Sequence, residues 1–174
     1  MSHTIRRFRP TDDAAMLAFA ATLPEHDLLF LGRDLRHPRV IDAWQQAVAE
    51  GWIDSLVAED GERIVATGAL VRDPLGWSGH VGEIRLLVAP DRRGAGLGGD
   101  LLEALLAIAY AHGLAKLTAT MTPDQAASIA LFERLGFARE ALLADHVRGS
   151  DGAAHDLIVL ARTMSGRQAP GNAA

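Results

Sequence analysis

The chain contains no cysteine in 174 residues. That excludes disulfides, a thiolate nucleophile and any cysteine-ligated metal. Tyrosine occurs once, at Tyr110, and aromatic residues make up only 5% of the composition, so phenolic acid–base chemistry is confined to a single position. No apolar run approaches the ~20 residues a membrane-spanning helix needs. The first residues, with Arg6, Arg7 and Arg9, lack the apolar centre of a secretory signal. Positive charge is not in surplus: 17 Lys and Arg against 22 Asp and Glu leave a net charge of −5. That balance disfavours nucleic acid or an anionic membrane as the main partner. The expectation is a cytoplasmic protein with neither.

What is present fits one globular domain with a sizeable core: 49% of residues are hydrophobic and 22% charged. Residues 1–164 read as that domain, and residues 165–174, SGRQAPGNAA, as a flexible tail. Thr4–Arg9 suits a first strand. Thr11 is placed to cap a helix running to about Thr22, with Asp12 and Asp13 in its first turn. Pro24–His37 is irregular, mixing Leu28, Leu29, Phe30 and Leu31 with His26, Asp27, Arg33 and Asp34. Pro38 opens a second helix, on which Val40, Ile41, Trp44 and Val48 recur at helical spacing before Gly51. Ile53–Glu59, Arg63–Val71 and His80–Val88 read as strands, the first two joined at Asp60-Gly61. A Leu-rich helix then runs to Gly113, and Lys116–Met121 forms the next strand. Thr122-Pro123-Asp124-Gln125 has the pattern of a capped helix start, and that helix ends at Gly136. Phe137–Arg148 and Ala153–Thr163 close the chain as a hairpin. The order βααβββαβαββ predicts a single α/β domain with a mixed, twisted sheet flanked by helices.

The densest signal is HVGEIRLLVAPDRRGAGLGGD, from His80 to Asp100. An apolar strand enters a short polar loop, Gly94, Gly96, Gly98 and Gly99 follow, and a helix begins. Glycines let a ligand approach the backbone closely, and a helix start carries amides without internal partners beside the positive end of the dipole. Such a loop suits phosphate, with Arg93 adding a guanidinium. Gly94 to Gly99 also satisfies GxGxxG. However, Ala89 to Arg93 separate the strand from the first glycine, and no acidic residue closes the Ala119–Met121 strand where a dinucleotide ribose would need one. No Gly-Lys-Ser/Thr follows, so a P-loop is excluded.

These residues closely resemble the signature of the GNAT N-acyltransferase superfamily, Arg/Gln-x-x-Gly-x-Gly/Ala, filled here by Arg93, Gly96 and Gly98. Glu83–Val88 is similar to the family's fourth strand. Gln125–Phe137 resembles its Asn-x-x-Ala-x-x-Leu-Tyr-x-x-x-Gly-Phe helix, and the element order agrees from Thr4 to Met164. The resemblance implies an acyl-CoA N-acyltransferase fold and acetyl-CoA as acyl-donor cosubstrate, with no metal. It implies that the fourth strand splays from the fifth, so that backbone groups at Leu87 and Val88 meet the pantetheine arm. Amides of Arg93, Gly94, Ala95, Gly96, Leu97, Gly98 and Gly99 would hold the pyrophosphate. Gln125, Ser128 and Phe132 share one helical face and would flank the arm and thiol. For Gln125 a second role stands beside this one, a side chain folded back on the Thr122 amide.

One position breaks the pattern. Many members carry a tyrosine, proposed as acid to the departing thiolate, where this chain has Phe132. Tyr110 lies roughly 20 Å along its helix from Leu97 and cannot substitute. A thiol pKa of about 8.5 makes the thiolate a tolerable leaving group, so catalysis without a protein acid is expected, or with Ser128 or water in that role. The amine must lose a proton, and Glu83 is the first candidate base, sharing a strand face with Arg85 and Leu87. The competing reading of Glu83 is a simple pair with Arg85. His155 is the second candidate base. A four-residue loop Gly149–Gly152 would place it opposite His146, and Asp145 opposite Asp156. Asp27 or Asp34 is a candidate to grip a cationic acceptor, and Trp77 to touch substrate. The expected function is acetyl transfer from acetyl-CoA to a primary amine, on a small molecule or a protein, by direct attack. A homodimer is expected by resemblance. The alternative is a non-catalytic acyl-CoA-binding or sensory domain, which Phe132 keeps in view.

Overall fold

The computed structural model describes residues 3–164. The proposed tail at 165–174 lies outside the described residues. The elements are β1 (Thr4–Arg7), α1 (Asp13–Ala21), α2 (Pro38–Ala49), β2 (Ile53–Asp60), β3 (Arg63–Arg72), β4 (Val81–Val88), α3 (Leu97–Ala111), β5 (Lys116–Met121), α4 (Ala126–Arg134), β6 (Ala138–Arg148) and β7 (Ala154–Thr163). This is the expected order. Short 3-10 turns occupy Pro10–Asp12, Glu25–Leu31 and Pro90–Arg92.

The strands form one seven-stranded sheet in the order β1-β2-β3-β4-β5-β7-β6. Only β4 and β5 run parallel, because α3 carries the chain back across the sheet between them; every other neighbouring pair is antiparallel. Two apolar layers follow from strand alternation. Ile84, Leu117 and Leu160 face Leu101, Leu105 and Phe132 of α3 and α4. On the other face Val57, Ile64 and Leu87 meet Met16 and Phe19 of α1 and Ile41 of α2. Each such side chain, fully buried, contributes about 1.5–3 kcal/mol. Gly68 on β3 is what lets α3 seat so closely, since a Cβ there would stand 2.9 Å from Leu105 Cδ1.

Two helix starts differ from expectation, and in both a polar residue is drawn into tertiary bonding. Thr11 does not cap α1. Asp12 turns inward instead, 6% exposed, accepting Arg6 at 2.7 and 2.9 Å and the Arg9 amide at 2.7 Å. The Arg6 bonds hold its carboxyl below the usual range, against the opposing effect of burial. At α4 the helix begins at Ala126 rather than at Pro123. Thr122 is buried and its hydroxyl meets His26 at 3.2 Å, so the turn belongs to the packing of the 25–31 segment. Gln125 still makes the expected backward contact, its Oε1 accepting the Thr122 amide at 3.3 Å.

No helix among the described residues is long and apolar enough to cross a membrane.

Candidate active site

The site is built where two neighbouring strands part. β4 and β5 pair only at Val81–Lys116, Gly82–Leu117 and Glu83–Thr118. Beyond that rung β4 stays on β3 as far as Ala66–Val88, and β5 stays on β7 as far as Met121–Ile158. Each strand follows its outer partner, and a gap opens between them. Backbone groups on the parted edges lack a strand partner; the Val88 carbonyl accepts the Arg93 guanidinium instead. This is the splay expected at Leu87 and Val88.

A cleft of about 680 Å³ fills the gap. Ile84, Leu86, Leu87 and Val88 form one wall, and Ala119, Thr120 and Met121 the other. Arg93, Gly94, Gly96, Leu97, Gly98 and Gly99 close one end, while Gln125, Ser128, Leu131 and Phe132 of α4 lie alongside. Of the residues expected to hold the donor, Ala95 alone is not in this lining; it sits exposed at the loop tip.

The glycine loop has the geometry of an anion cradle. Gly94 and Gly96 lie at φ 75° and 86°, a region that disfavours side chains, and Gly96 is the residue before α3. The first bonds of the helix run from the Gly99 and Asp100 amides to the Gly96 carbonyl. The amides of Leu97 and Gly98 therefore stand at the open mouth of the helix. A Cβ on Gly98 would come within 3.1 Å of Leu131 Cδ2, so bare backbone at this position also lets α4 close on α3.

Phe132 is 2% exposed and meets Phe137 edge-on, ring centroids 5.0 Å apart. It lines the cleft as an apolar wall with no proton to give. Tyr110 is remote from it, its hydroxyl accepting Arg162 at 3.1 Å. Ser128 on the same face of α4 and Thr120 on β5 bring hydroxyls to the lining.

The irregular Glu25–Leu31 turn covers the cleft and lends it Asp27 and Phe30. Asp27, a candidate to grip a cationic acceptor, accepts Arg93 Nη2 at 2.5 Å. Asp34 is likewise engaged by Arg36, at 2.8 and 2.9 Å. His26 Nε2 lies 2.9 Å from Asp124 and 5.3 Å, ring to ring, from His155. The Thr122 hydroxyl, and secondarily His26, hold the Asp124 carboxyl below its usual range against a smaller opposing effect of burial.

Glu83 sits at the closed end of the gap, outside the cleft lining, and binds Arg85 at 3.0 and 3.1 Å. Both side chains keep partial exposure, 30% and 23%. His155 faces Val147 rather than His146. The hairpin loop spans 149–153, with the Gly149 amide bonded to the Ala153 carbonyl, and a bulge between Leu143 and Val147 shifts the register again. Asp145 takes φ 49° in that bulge, the one positive value for a non-glycine among the described residues. Its amide donates to Asp156 at 2.9 Å, so that pair does meet. Trp77 is fully exposed on the β3–β4 loop and is not part of the cleft, whereas Trp44 packs inward and donates to Ser55 at 3.2 Å.

Sequence reasoning missed the His26–Asp124 contact, made across 98 residues with no local pattern to announce it. It also missed Leu131, which helical spacing from Ser128 does predict.

A family model described as Acetyltransferase (GNAT) family matches residues 20–137. An L-methionine sulfoximine/L-methionine sulfone acetyltransferase of Pseudomonas paraeruginosa is 39% identical over 97 residues, covering 55% of this chain and 56% of that protein. The chain thus matches about half the length of such curated relatives. A ribosomal-protein-alanine N-acetyltransferase from Brucella melitensis superposes with TM-score 0.78 at 24% identity, over 92% of this chain and 99% of that one. A Salmonella typhimurium protein solved with its cofactor acetyl-CoA gives TM-score 0.80 at 23% identity, over 99% and 100%. At those identities the structural likeness is one of fold.

Proposed function

Since the chain belongs to the GNAT acetyltransferase family, we propose that it moves an acetyl group from acetyl-CoA to a primary amine by direct attack. The observation that carries this reading is the β4–β5 gap ending at the glycine cradle. A pantetheine-like arm fits the parted strand edges, and a diphosphate fits the amides from Arg93 to Gly99 with the α3 dipole behind them. The α4 face of Gln125, Ser128 and Phe132 flanks the arm. Nothing in the lining is a cysteine, and direct transfer needs none.

In the reaction the amine nitrogen forms a bond to the thioester carbon, the carbon–sulfur bond breaks, and the thiolate departs. Unpaired amides on β4 polarise the carbonyl, and the two walls hold the reactants in line. Glu83 takes the ammonium proton, directly or through water, from its place at the closed end of the gap. His155 is a second reading for that base, favoured by its contact with His26 beside Asp124. Phe132 leaves the thiolate to be protonated by water or by Ser128, which the ordinary thiol pKa of about 8.5 allows.

The acceptor is proposed to be a small amine or a protein amine. L-Methionine sulfoximine and L-methionine sulfone, named for the Pseudomonas relative, are the first small acceptors to try. We expect the protein to act in the cytoplasm. A homodimer is supported by the exposed edge strand β6, on which Leu142 is 60% exposed. Sedimentation tests that assembly.

Thiol release from acetyl-CoA over a panel of amines, beside calorimetry with CoA, tests the activity. Amine-dependent release supports the enzyme. Binding with no release on any amine favours a sensory acyl-CoA-binding domain. No binding at all removes the donor reading.

A further inference from the structure

Three consecutive residues of the cover reach three different segments of the chain: the β6–β7 loop, the turn before α4 and the loop before α3. Glu25 accepts the Ser150 amide at 2.7 Å, tying the turn to the β6–β7 hairpin. His26 lies 2.9 Å from Asp124 and 3.2 Å from the Thr122 hydroxyl, on the turn that starts α4. Asp27 receives Arg93, on the loop that starts α3, at 2.5 Å. The short turn therefore spans the mouth of the cleft, and two of its three attachments end on residues that line it, Asp124 and Arg93.

The Arg93 attachment differs from the other two in what it occupies. Its guanidinium also donates from Nε and Nη2 to the Val88 carbonyl, both at 3.3 Å. Val88 lies on the parted edge of β4, where a bound donor arm would run. Asp27 itself is only 15% exposed at the side chain and lines the same cleft, so its negative charge points at the region where a diphosphate would lie. One cation is thus shared between a carbonyl and a carboxylate at the place where an anion would enter.

Building on the donor reading above, we infer that Asp27 competes with the pyrophosphate of acetyl-CoA for Arg93. Donor binding draws the guanidinium toward phosphate, frees the Val88 carbonyl, and releases one of the three attachments that hold the cover over the cleft. The diphosphate outcompetes a single carboxylate for a guanidinium because its two phosphoryl groups together carry two negative charges and more acceptor oxygens in a compatible fork geometry. The Glu25 and His26 attachments remain, so the turn pivots on the α4 and hairpin side rather than detaching.

Asp27→Asn tests this directly, since it keeps the shape and removes the charge. CoA titrated into Asp27→Asn by calorimetry is expected to bind about five- to tenfold more tightly than to wild type, the scale of one partly buried like charge near the ligand. Asp34→Asn, the same charge change on a residue engaged by Arg36 away from the cleft, is expected to leave CoA affinity unchanged. In Arg93→Ala the gain from Asp27→Asn is expected to vanish. Hydrogen exchange supplies a second readout: amides of residues 25–31 should exchange faster in wild type with CoA than without, and Asp27→Asn should already show the faster rate without CoA. Equal or weaker CoA binding by Asp27→Asn overturns the competition while leaving the donor reading intact. CoA slowing exchange across residues 25–31 overturns the release of the cover. Failure of CoA to bind wild type removes the donor reading and this inference together.

Discussion

Glu83 stands opposite Thr118 on the last rung joining β4 to β5, and Arg85, two residues further along the same face, holds its carboxylate at 3.0 and 3.1 Å. The base proposed for the reaction is therefore also half of an ion pair. The two roles separate by experiment. Glu83→Gln is expected to lower kcat by about 10²-fold or more with the fold intact, the scale of a lost general base. Near wild-type kcat between about pH 6 and 9 would assign Glu83 to Arg85 alone and move the base to His155.

Phe132 predicts a null effect of an unusual kind. Phe132→Tyr restores the hydroxyl many family members carry, but a thiolate near its ordinary pKa leaves without help. The expected change in kcat is less than about twofold, against the ~10²–10⁴ that acid catalysis supplies where it is limiting. A tenfold rise would show that thiolate protonation limits the proposed reaction.

The glycines of the cradle have separable roles. Gly96 at φ 86° stands in open space, so Gly96→Ala meets backbone strain of about 1–2 kcal/mol and no steric clash. It should lower Tm and raise KM for the donor together. Gly98→Ala instead pushes on Leu131, 3.1 Å from the new Cβ. It should raise the donor KM with a smaller loss of Tm. Thermal melts and donor titration of the two variants check the contrast.

Asp54 carries a pH signature away from the site. Its carboxylate joins β2 to Arg7 at 2.9 Å, Arg72 at 3.1 Å and His112 at 2.8 Å. Burial pushes its pKa up, but the bonds from Arg7 and His112, together with the charges of His112 and Arg72, make the net shift downward. A depressed folded pKa adds stability that is full above the unfolded value of about 3.9 and is lost as pH falls through the folded one. Asp54→Asn should therefore cost about 1–3 kcal/mol at neutral pH, the scale of lost hydrogen bonds to a charged group whose partners are partly exposed. The gap to wild type should narrow below about pH 4. Urea unfolding at both ends of that range measures it.

Element order and the cradle could be read from the sequence because they rest on local patterns: glycine spacing, helical recurrence of leucine, turn residues between strands. The parted strands at Leu87 and Val88 could be anticipated only through the family resemblance, since no residue of β4 announces where its pairing ends. What local pattern could not supply was partnership at a distance. Thr122 reads as a cap and is a tertiary contact of His26. Asp27 reads as an acceptor ligand and is the partner of Arg93. The His146–His155 pairing failed on one residue of loop length and a bulge at Asp145, and sheet register magnifies such a slip into a change of neighbour.

Acetyl-CoA labelled with heavy isotope in the acetyl group, incubated with the protein and a panel of primary amines including L-methionine sulfone, tests the proposed reaction most directly. Mass spectrometry should find the label in an N-acetyl amide and one free CoA thiol for each amide formed. Bound, unreacted acetyl-CoA with no labelled amide from any amine would contradict it.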